Sequence, residues 1–500
     1  MKDSLFVESL KNKKMQKGLF IVMGLFIVYR FLAHVPIPLA EPTQLKQLVS
    51  GALKNQQSLG FLDLLSGGAL ASFSIMTLGL GPYINASIII QVLSKAIPKL
   101  EEKQKEGEQA RRKINQYTRI LTLPLAIGQS FGILTLLRQQ TIASSLGVDI
   151  SRNATISQWV IMITALTAGS MLLMWLGEII TEQGLGNGIS LIIFAGIASS
   201  LPSTALSLWN TIKGTASDSL HVFGQTLPFS SEGLMISAGV IAFLVFLTYS
   251  VVKLSEAKRV ITVYYAKRVR GGREYGGVTT VLPLKLISVG VIPIIFAQAI
   301  LSALQFVASL LSTASNTTIS SIAQKITTWL PSDAVASGQY SNTYIYVYFA
   351  MIFFFTYFYT KINFDPKQIS EDLQKEGGFI ENVKPGQKTQ SYINNIMQRL
   401  TLTGAISIGL LAIIPIVAQR YISAGSIALM GTSLLIVVSV AVETIRQVQS
   451  KALMYSYDNK KSGDITLEPT ATGLINRSKL NSTIKKRAVS LKKTFKKKSK

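Results

Sequence analysis

Along the chain, long apolar stretches alternate with short polar segments that are strongly basic. A membrane-spanning helix requires about 20 predominantly apolar residues. Ten stretches approach or meet that length: about 18–37, 73–94, 119–137, 159–177, 188–204, 234–252, 286–311, 343–361, 401–419 and 424–442. Most are nearly free of ionisable groups; Arg30 and His34, near the end of the first, are the main exceptions. The pattern predicts an all-α, polytopic membrane protein of ten transmembrane helices. Lys2, Lys11, Lys13, Lys14 and Lys17 precede the first stretch, and Val35-Pro36-Ile37-Pro38 closes it where a signal peptide would carry small residues. It reads as a first membrane helix that is retained.

The polar segments fix an orientation through the excess of Lys and Arg in cytoplasmic loops. Lys95, Lys99, Lys103, Lys105, Arg111, Arg112 and Lys113 lie between the second and third spans. Lys253, Lys258, Arg259, Lys267, Arg268, Arg270, Arg273 and Lys285 lie between the sixth and seventh. By contrast, 205–233 holds only Lys213 and 312–342 only Lys325. With an even number of spans, both termini fall in the cytoplasm. Two basic-side loops, 253–285 and 362–399, are long enough to project from the membrane. The first carries the strand-like run Arg259-Val260-Ile261-Thr262-Val263-Tyr264-Tyr265 and the pairs Gly271-Gly272 and Gly276-Gly277, which together predict a β-hairpin. From Lys451 the composition changes: residues 451–500 hold fourteen Lys or Arg and three Asp or Glu, predicting a disordered basic cytoplasmic tail.

Composition narrows the chemistry. Hydrophobic residues make up 48% of the chain and charged residues 15%, which suits a membrane protein better than a set of soluble domains. The absence of cysteine excludes disulfides, thiolate catalysis and Cys-based zinc sites, and His34 and His221 are too few for a His-rich metal site. No metal motif, Ser/Lys dyad or carboxylate pair stands in the spans, so an enzyme is not expected. Gly184-Leu185-Gly186-Asn187-Gly188 lacks the spacing of a dinucleotide loop and follows no strand, and no Walker-type loop is present; no cofactor is expected and any energy must come from outside. The net charge of +25 calls for anionic lipid or nucleic acid nearby. A secondary transporter is the main competing class, since such proteins also have about ten helices and broken segments. Those proteins commonly keep ionisable groups near the membrane midplane, which these spans almost entirely lack.

Specific motifs then follow in order. Ser66-Gly67-Gly68-Ala69-Leu70 leads into Leu78-Gly79-Leu80-Gly81-Pro82-Tyr83-Ile84-Asn85-Ala86-Ser87. After it come Arg112-Lys113-Ile114-Asn115-Gln116-Tyr117, Trp175-Leu176-Gly177-Glu178, Gly184-Leu185-Gly186-Asn187-Gly188-Ile189-Ser190, Tyr265-Ala266-Lys267-Arg268, Leu282-Pro283-Leu284-Lys285 and Gly290-Val291-Ile292-Pro293. Over about residues 1–450 the chain resembles the SecY family of translocon channel subunits.

The resemblance implies two pseudo-symmetric five-helix halves, 1–204 and 205–450, around a central pore with a short plug helix at about 60–72. It implies a plug containing Asp63, Ser66, Gly67 and Gly68, and a pore ring of Leu80, Ile84, Leu185, Ile189, Ile295 and Ile436. All six ring positions are aliphatic; a narrow apolar constriction dewets and blocks ions while its side chains can yield to a passing peptide. Leu80 with Ile84, and Leu185 with Ile189, have the i,i+4 spacing of one helix face. Asn85 and Gln129 match polar positions near the family's lateral gate, although ordinary helix–helix hydrogen bonding accounts for them equally well. Gly67-Gly68 would bend a plug, the reading the resemblance favours, although such glycines can also permit close helix packing. Lys267, Arg268, Arg270, Arg273 and Lys384 fall where a motor or ribosome docks; Lys384 replaces the family's usual Arg, and many such charges serve only to set topology. The implied activity is a gated channel of the bacterial plasma membrane. It would pass unfolded preproteins and release hydrophobic segments sideways into lipid, in a heterotrimer with SecE and SecG and driven by SecA or a ribosome.

Overall fold

The first helix, α1 (Lys13–Leu32), leads through residues 33–37 towards a turn-rich stretch, 66–70 and 72–80, from which α2 (Gly81–Ala96) starts. The computed structural model describes residues 13–37, 63, 66–70, 72–105, 108–143, 155–213, 219–222, 225–265, 268–270, 273–275, 277, 279–287, 290, 292–312, 317–330, 342–421 and 427–461. After α2 come α3 (Pro98–Lys105), α4 (Glu108–Ala143), α5 (Ile156–Glu182) and α6 (Gly188–Lys213). A small hairpin, β1 (Ser219–Val222) and β2 (Gln225–Ser230), precedes α7 (Ser231–Glu256). The remaining apolar helices are α8 (Ile292–Leu311), α10 (Asn342–Asn363), α12 (Gln387–Tyr421) and α13 (Ile427–Lys461); α9 (Thr317–Trp329) and α11 (Pro366–Glu376) are shorter.

Among the described residues, seven helical segments are long and apolar enough to cross a membrane. They correspond to the expected spans one, three, four, six, seven, eight and nine. The fifth is present as a shorter apolar helix, Gly188–Pro202. Three expected boundaries are corrected. The second span is not helical from residue 73: Gly79 has φ +56°, Leu80 is the N-cap, and Pro82 stands in the first turn, where its missing N–H costs nothing. The seventh begins at Ile292 rather than 286, after Gly290 at φ +66° and with Pro293 in its first turn. The last helix continues to Lys461, past the expected start of the tail at Lys451; residues 462–500 lie outside the described residues.

Lys11–Lys451 forms one compact unit. Its main hydrophobic cluster draws on α1, the 72–80 turns, α2, α5, α6, α7, α8, α10, α12 and α13. Glycines set the closest approaches. A β-carbon on Gly169 of α5 would lie 1.9 Å from the Ile75 carbonyl oxygen, and one on Gly188 would lie 1.9 Å from that of Gly177.

The expected hairpin in 253–285 is β3 (Lys258–Tyr265) paired antiparallel with β6 (Thr279–Lys285), from Lys258 opposite Lys285 to Tyr264 opposite Thr279. Two short strands, β4 (Arg268–Arg270) and β5 (Arg273–Tyr275), pair near its tip. A further strand, β7 (Gly378–Ile380), comes from the other projecting loop and adds to the free edge of β3. Ile261, Val263, Leu284, Ile380, Ile393 and Met397 form a separate small core under this three-stranded sheet. The two loops are therefore one body. The 362–399 segment is largely helical, because Asp365 caps α11 through the Lys367 and Gln368 amides and Gly377 ends it in a left-handed turn.

Gly169→Ala is expected to destabilise the fold by about 1–3 kcal/mol, the range for overpacking. Gly128→Ala meets nothing within 4 Å and should be neutral or slightly stabilising. Thermal unfolding of the purified variants in detergent checks the contrast.

Candidate pore and plug

Backbone that leaves helical geometry inside a membrane must find other partners for its polar groups. The 66–80 stretch finds them on α1, α5 and α6, in the segment after α1, and within itself. On α1, the Tyr29 hydroxyl donates to the Ser66 carbonyl at 3.0 Å, and Arg30 Nη1 donates to the Gly67 carbonyl at 2.8 Å. Arg30 also reaches Ser199 Oγ of α6 at 3.0 Å, and Ser199 Oγ in turn donates to the Gly67 carbonyl at 3.3 Å. Beyond α1, Ile75 N–H donates to the Val35 carbonyl and Ile37 N–H to that of Phe73. On α5, Ser170 Oγ donates to the Gly79 carbonyl at 3.1 Å. Within the stretch, Ser66 Oγ donates to the Asp63 carbonyl at 2.9 Å and accepts from the Leu70 amide at 3.3 Å.

Gly67 and Gly68 both have positive φ, +72° and +81°, which glycine adopts freely. Their surroundings differ. A β-carbon at Gly67 would lie 2.0 Å from the Tyr29 hydroxyl, whereas one at Gly68 would meet nothing within 4 Å. Asp63 is half-buried, Ser66 and Gly67 are buried, and Gly68 is exposed. Asp63 and Ser66 have helical backbone, and turns follow Ser66, so no plug helix runs through 67–70.

The six aliphatic residues all belong to the main cluster. Leu80, Ile84, Leu185, Ile295 and Ile436 are each 5% exposed or less, and Ile189 is half-buried against them. They come from the N-cap and first turn of α2, the turn before α6, α6 itself, α8 and α13. Leu80 and Ile84 keep helical spacing, with the Ile84 amide donating to the Leu80 carbonyl at 2.9 Å. The spacing argument fails for Leu185 and Ile189, because Leu185 precedes α6. There Gly184 (φ +66°) and Gly186 (φ +153°) make the turn, and Asn187 Oδ1 caps α6 by accepting from the Ile189 amide at 3.1 Å. The Gly-Leu-Gly-Asn-Gly motif is thus a capped turn between helices. Lys451 Nζ of α13 donates to the Gln183 carbonyl and ties this turn to the helix that carries Ile436.

Asn85 on α2 and Gln129 on α4 are both half-buried, and no hydrogen bond joins their side chains. The seam around them closes by packing instead. α8 lies against both α2 and α4. A β-carbon on Gly132 of α4 would lie 2.4 Å from Phe306 Cζ and 2.9 Å from Leu310 Cδ1 of α8. Gly132, Phe306 and Leu310 were not legible as a seam in the sequence, since a glycine among apolar residues carries no mark of its partner. Arg30 was half legible, because a charge inside a span demands a partner; Tyr29 carried no such mark. Of the docking residues, Lys384 is exposed, Arg268 lies on β4 and at the opposite end of that hairpin Arg270 pairs with Arg273 of β5; Lys267 lies outside the described residues.

The profile of the SecY family matches residues 74–445. Protein translocase subunit SecY of Streptomyces coelicolor is 35% identical over 457 residues, covering 91% of this chain and 98% of the relative. That of Corynebacterium glutamicum is 35% identical over 463 residues, covering 91% and 99%. The chain belongs to the SecY family. Solved SecY and Sec61 channels share its fold. A structure described as a protein-conducting channel aligns at TM-score 0.59 and 17% identity, over 89% of this chain and 94% of its own. Sec61 from a canine ribosome–channel complex aligns at 0.56 over the same shares. The chain is accordingly a membrane-embedded, protein-conducting channel of the SecY type. The family is one of translocation channels rather than a known enzyme family, and the transporter reading gives way to it.

Removing the α1 contacts should loosen the 66–80 stretch. Two hydrogen bonds contribute about 2 kcal/mol together, or roughly thirtyfold in an opening equilibrium. Because the chain has no cysteine, Ala69→Cys, at a buried site, is a background-free reporter. Its maleimide labelling is expected to accelerate by about that factor when Tyr29→Phe and Arg30→Gln are added.

Proposed function

We propose that Leu80, Ile84, Leu185, Ile189, Ile295 and Ile436 form the constriction that seals the resting channel, with the stretch at about 60–72 as its plug. The observation that carries this reading is their shared burial: Leu80, Ile84, Leu185, Ile295 and Ile436, from four places in the sequence, belong to one continuous apolar cluster, and Ile189 packs against it. An apolar constriction excludes ions by dewetting, and its side chains fit around a polypeptide without binding it tightly. On this reading Tyr29 and Arg30 hold the plug by its carbonyls, and the bonds are individually weak enough to yield to an entering client. The α8 seam with α2 and α4, flanked by Asn85 and Gln129, is the route by which hydrophobic segments leave sideways into lipid.

The same reading places the chain in the bacterial plasma membrane with both termini cytoplasmic, as the Lys and Arg distribution favours. It assembles with SecE and SecG. The two basic loops, joined through the β3–β6–β7 sheet, would present Lys267, Arg268, Arg270, Arg273 and Lys384 to SecA or to ribosomal RNA, through charge-assisted bonds to carboxylates or phosphates. The tail from about 462 adds attraction for anionic lipid.

Two outcomes test the reading. Ile84→Gly with Ile189→Gly is expected to raise resting ion conductance several-fold in planar bilayers; an unchanged current overturns the seal. Lys384→Glu is expected to slow SecA-driven uptake of a labelled preprotein into proteoliposomes several-fold while leaving resting conductance unchanged, and an unaffected rate removes Lys384 from the docking surface.

A further inference from the structure

The short helix α9 lies in the segment between α8 and α10, away from the basic loops, and its surface is divided along its length. Ala323 is buried, as is Leu330 just beyond the helix end. Beside that buried stripe runs a second apolar one that is left uncovered among the described residues. Ile319 is 42% exposed, Ile322 56% and Trp329 68%, with Ile326 half-buried between the two stripes. Ser321, Gln324, Lys325 and Thr328 are exposed on the other side. With 100° between successive residues, the apolar side chains occupy about a third of the circumference.

The length of α8 fixes where this helix must lie. Twenty residues at 1.5 Å each make about 30 Å, the thickness of the hydrocarbon core. A helix that crosses the membrane therefore has Leu311 at one boundary. Only residues 312–316 separate it from Thr317, and Ser320 Oγ donates to the Ser312 carbonyl at 3.0 Å. Gln305 Nε2 of α8 donates to the Leu330 carbonyl at 3.4 Å, so both ends of α9 are tied to α8. A helix held at the boundary, with isoleucines and a tryptophan on one exposed edge and a lysine beside them, matches the chemistry of the headgroup layer. Tryptophan concentrates there, and lysine reaches from it to water.

We propose that α9 is an interfacial anchor: its Ile319, Ile322 and Trp329 edge lies in the headgroup–acyl boundary of the leaflet opposite the basic loops. Because α9 is bonded to α8 at both ends, this anchor ties to the lipid the one helix that carries Ile295 and packs against α2 and α4. The bilayer then acts directly on the depth and tilt of α8. Membrane residence of the chain is enough for this inference, which does not depend on the six-residue seal.

The absence of cysteine makes the test direct. Ile322→Cys and Thr328→Cys, each carrying a nitroxide label, are reconstituted in phosphatidylglycerol/phosphatidylcholine vesicles. Accessibility to oxygen, which partitions into lipid, is compared with accessibility to a water-soluble nickel chelate. The label at 322 is expected to favour oxygen at least several-fold over the label at 328, which should favour nickel. Preference for nickel at both positions places α9 in water and overturns the proposal. Low accessibility of 322 to both reagents means that protein, such as a second copy of this chain, covers the edge, and overturns it equally. Ile319→Cys supplies an independent readout of the same edge should Ile322→Cys fold poorly.

Discussion

Unpaired backbone groups cannot be left inside a membrane, and this constraint shapes everything around residues 66–80. A helix satisfies it internally. This stretch is not a helix, yet it sits among helices, and its carbonyls are taken up by Tyr29, Arg30, Ser199 and Ser170. Those bonds join α1, α5 and α6 to one short irregular segment. They also set where α2 begins, and with it the positions of Leu80 and Ile84. An arrangement that holds non-helical backbone through a few side-chain bonds can release it at modest cost, which a packed helix cannot do.

The second constraint is opposite in kind. A pore that must open for a polypeptide cannot be closed by a dense polar network, because each buried polar group would then need a new partner in every state. Aliphatic side chains have no such demand. Leu80, Ile84, Leu185, Ile295 and Ile436 are buried with no polar atom in their side chains; nearby, Gly169 and Gly188 let neighbouring backbone approach closely, and Gly132 admits the Phe306 and Leu310 side chains. The three-stranded sheet that joins the two basic loops is built on different terms. Its core is separate from the membrane cluster, so a partner docking there meets a body with its own packing rather than two independent loops.

Apolar length alone announced most of the spans, and β-branched residues with glycine pairs announced the β3–β6 hairpin. What hydropathy missed were places where a few atoms decide the geometry. Residues 73–80 are apolar enough to count as span, and only Gly79, Gly81 and Pro82 marked the turn that ends there. The three residues of β7 are too few to show a period, so its addition to β3 across the sequence left no local trace. Arg30 stood out as a charge within a span, but its partners Gly67 and Ser199 are far away along the chain. The proposed pore, plug and docking residues came from resemblance and not from spacing, and Leu185 with Ile189 shows why: an i,i+4 pair shares a face only where the chain between them is helical.

The central claim is that a polypeptide passes through the cluster formed by the six aliphatic residues. The most direct measurement is disulfide capture in the otherwise cysteine-free chain. Ile84→Cys, Ile295→Cys and Ile436→Cys are each paired with a preprotein arrested in mid-transit and carrying one cysteine. Ile120→Cys and Met235→Cys, at positions exposed on the outer surface of the helices, serve as controls. The account predicts cross-links at 84, 295 and 436 that shift with the position of the client cysteine, and none at 120 or 235. Cross-links at the outer positions with none at the inner three would contradict it.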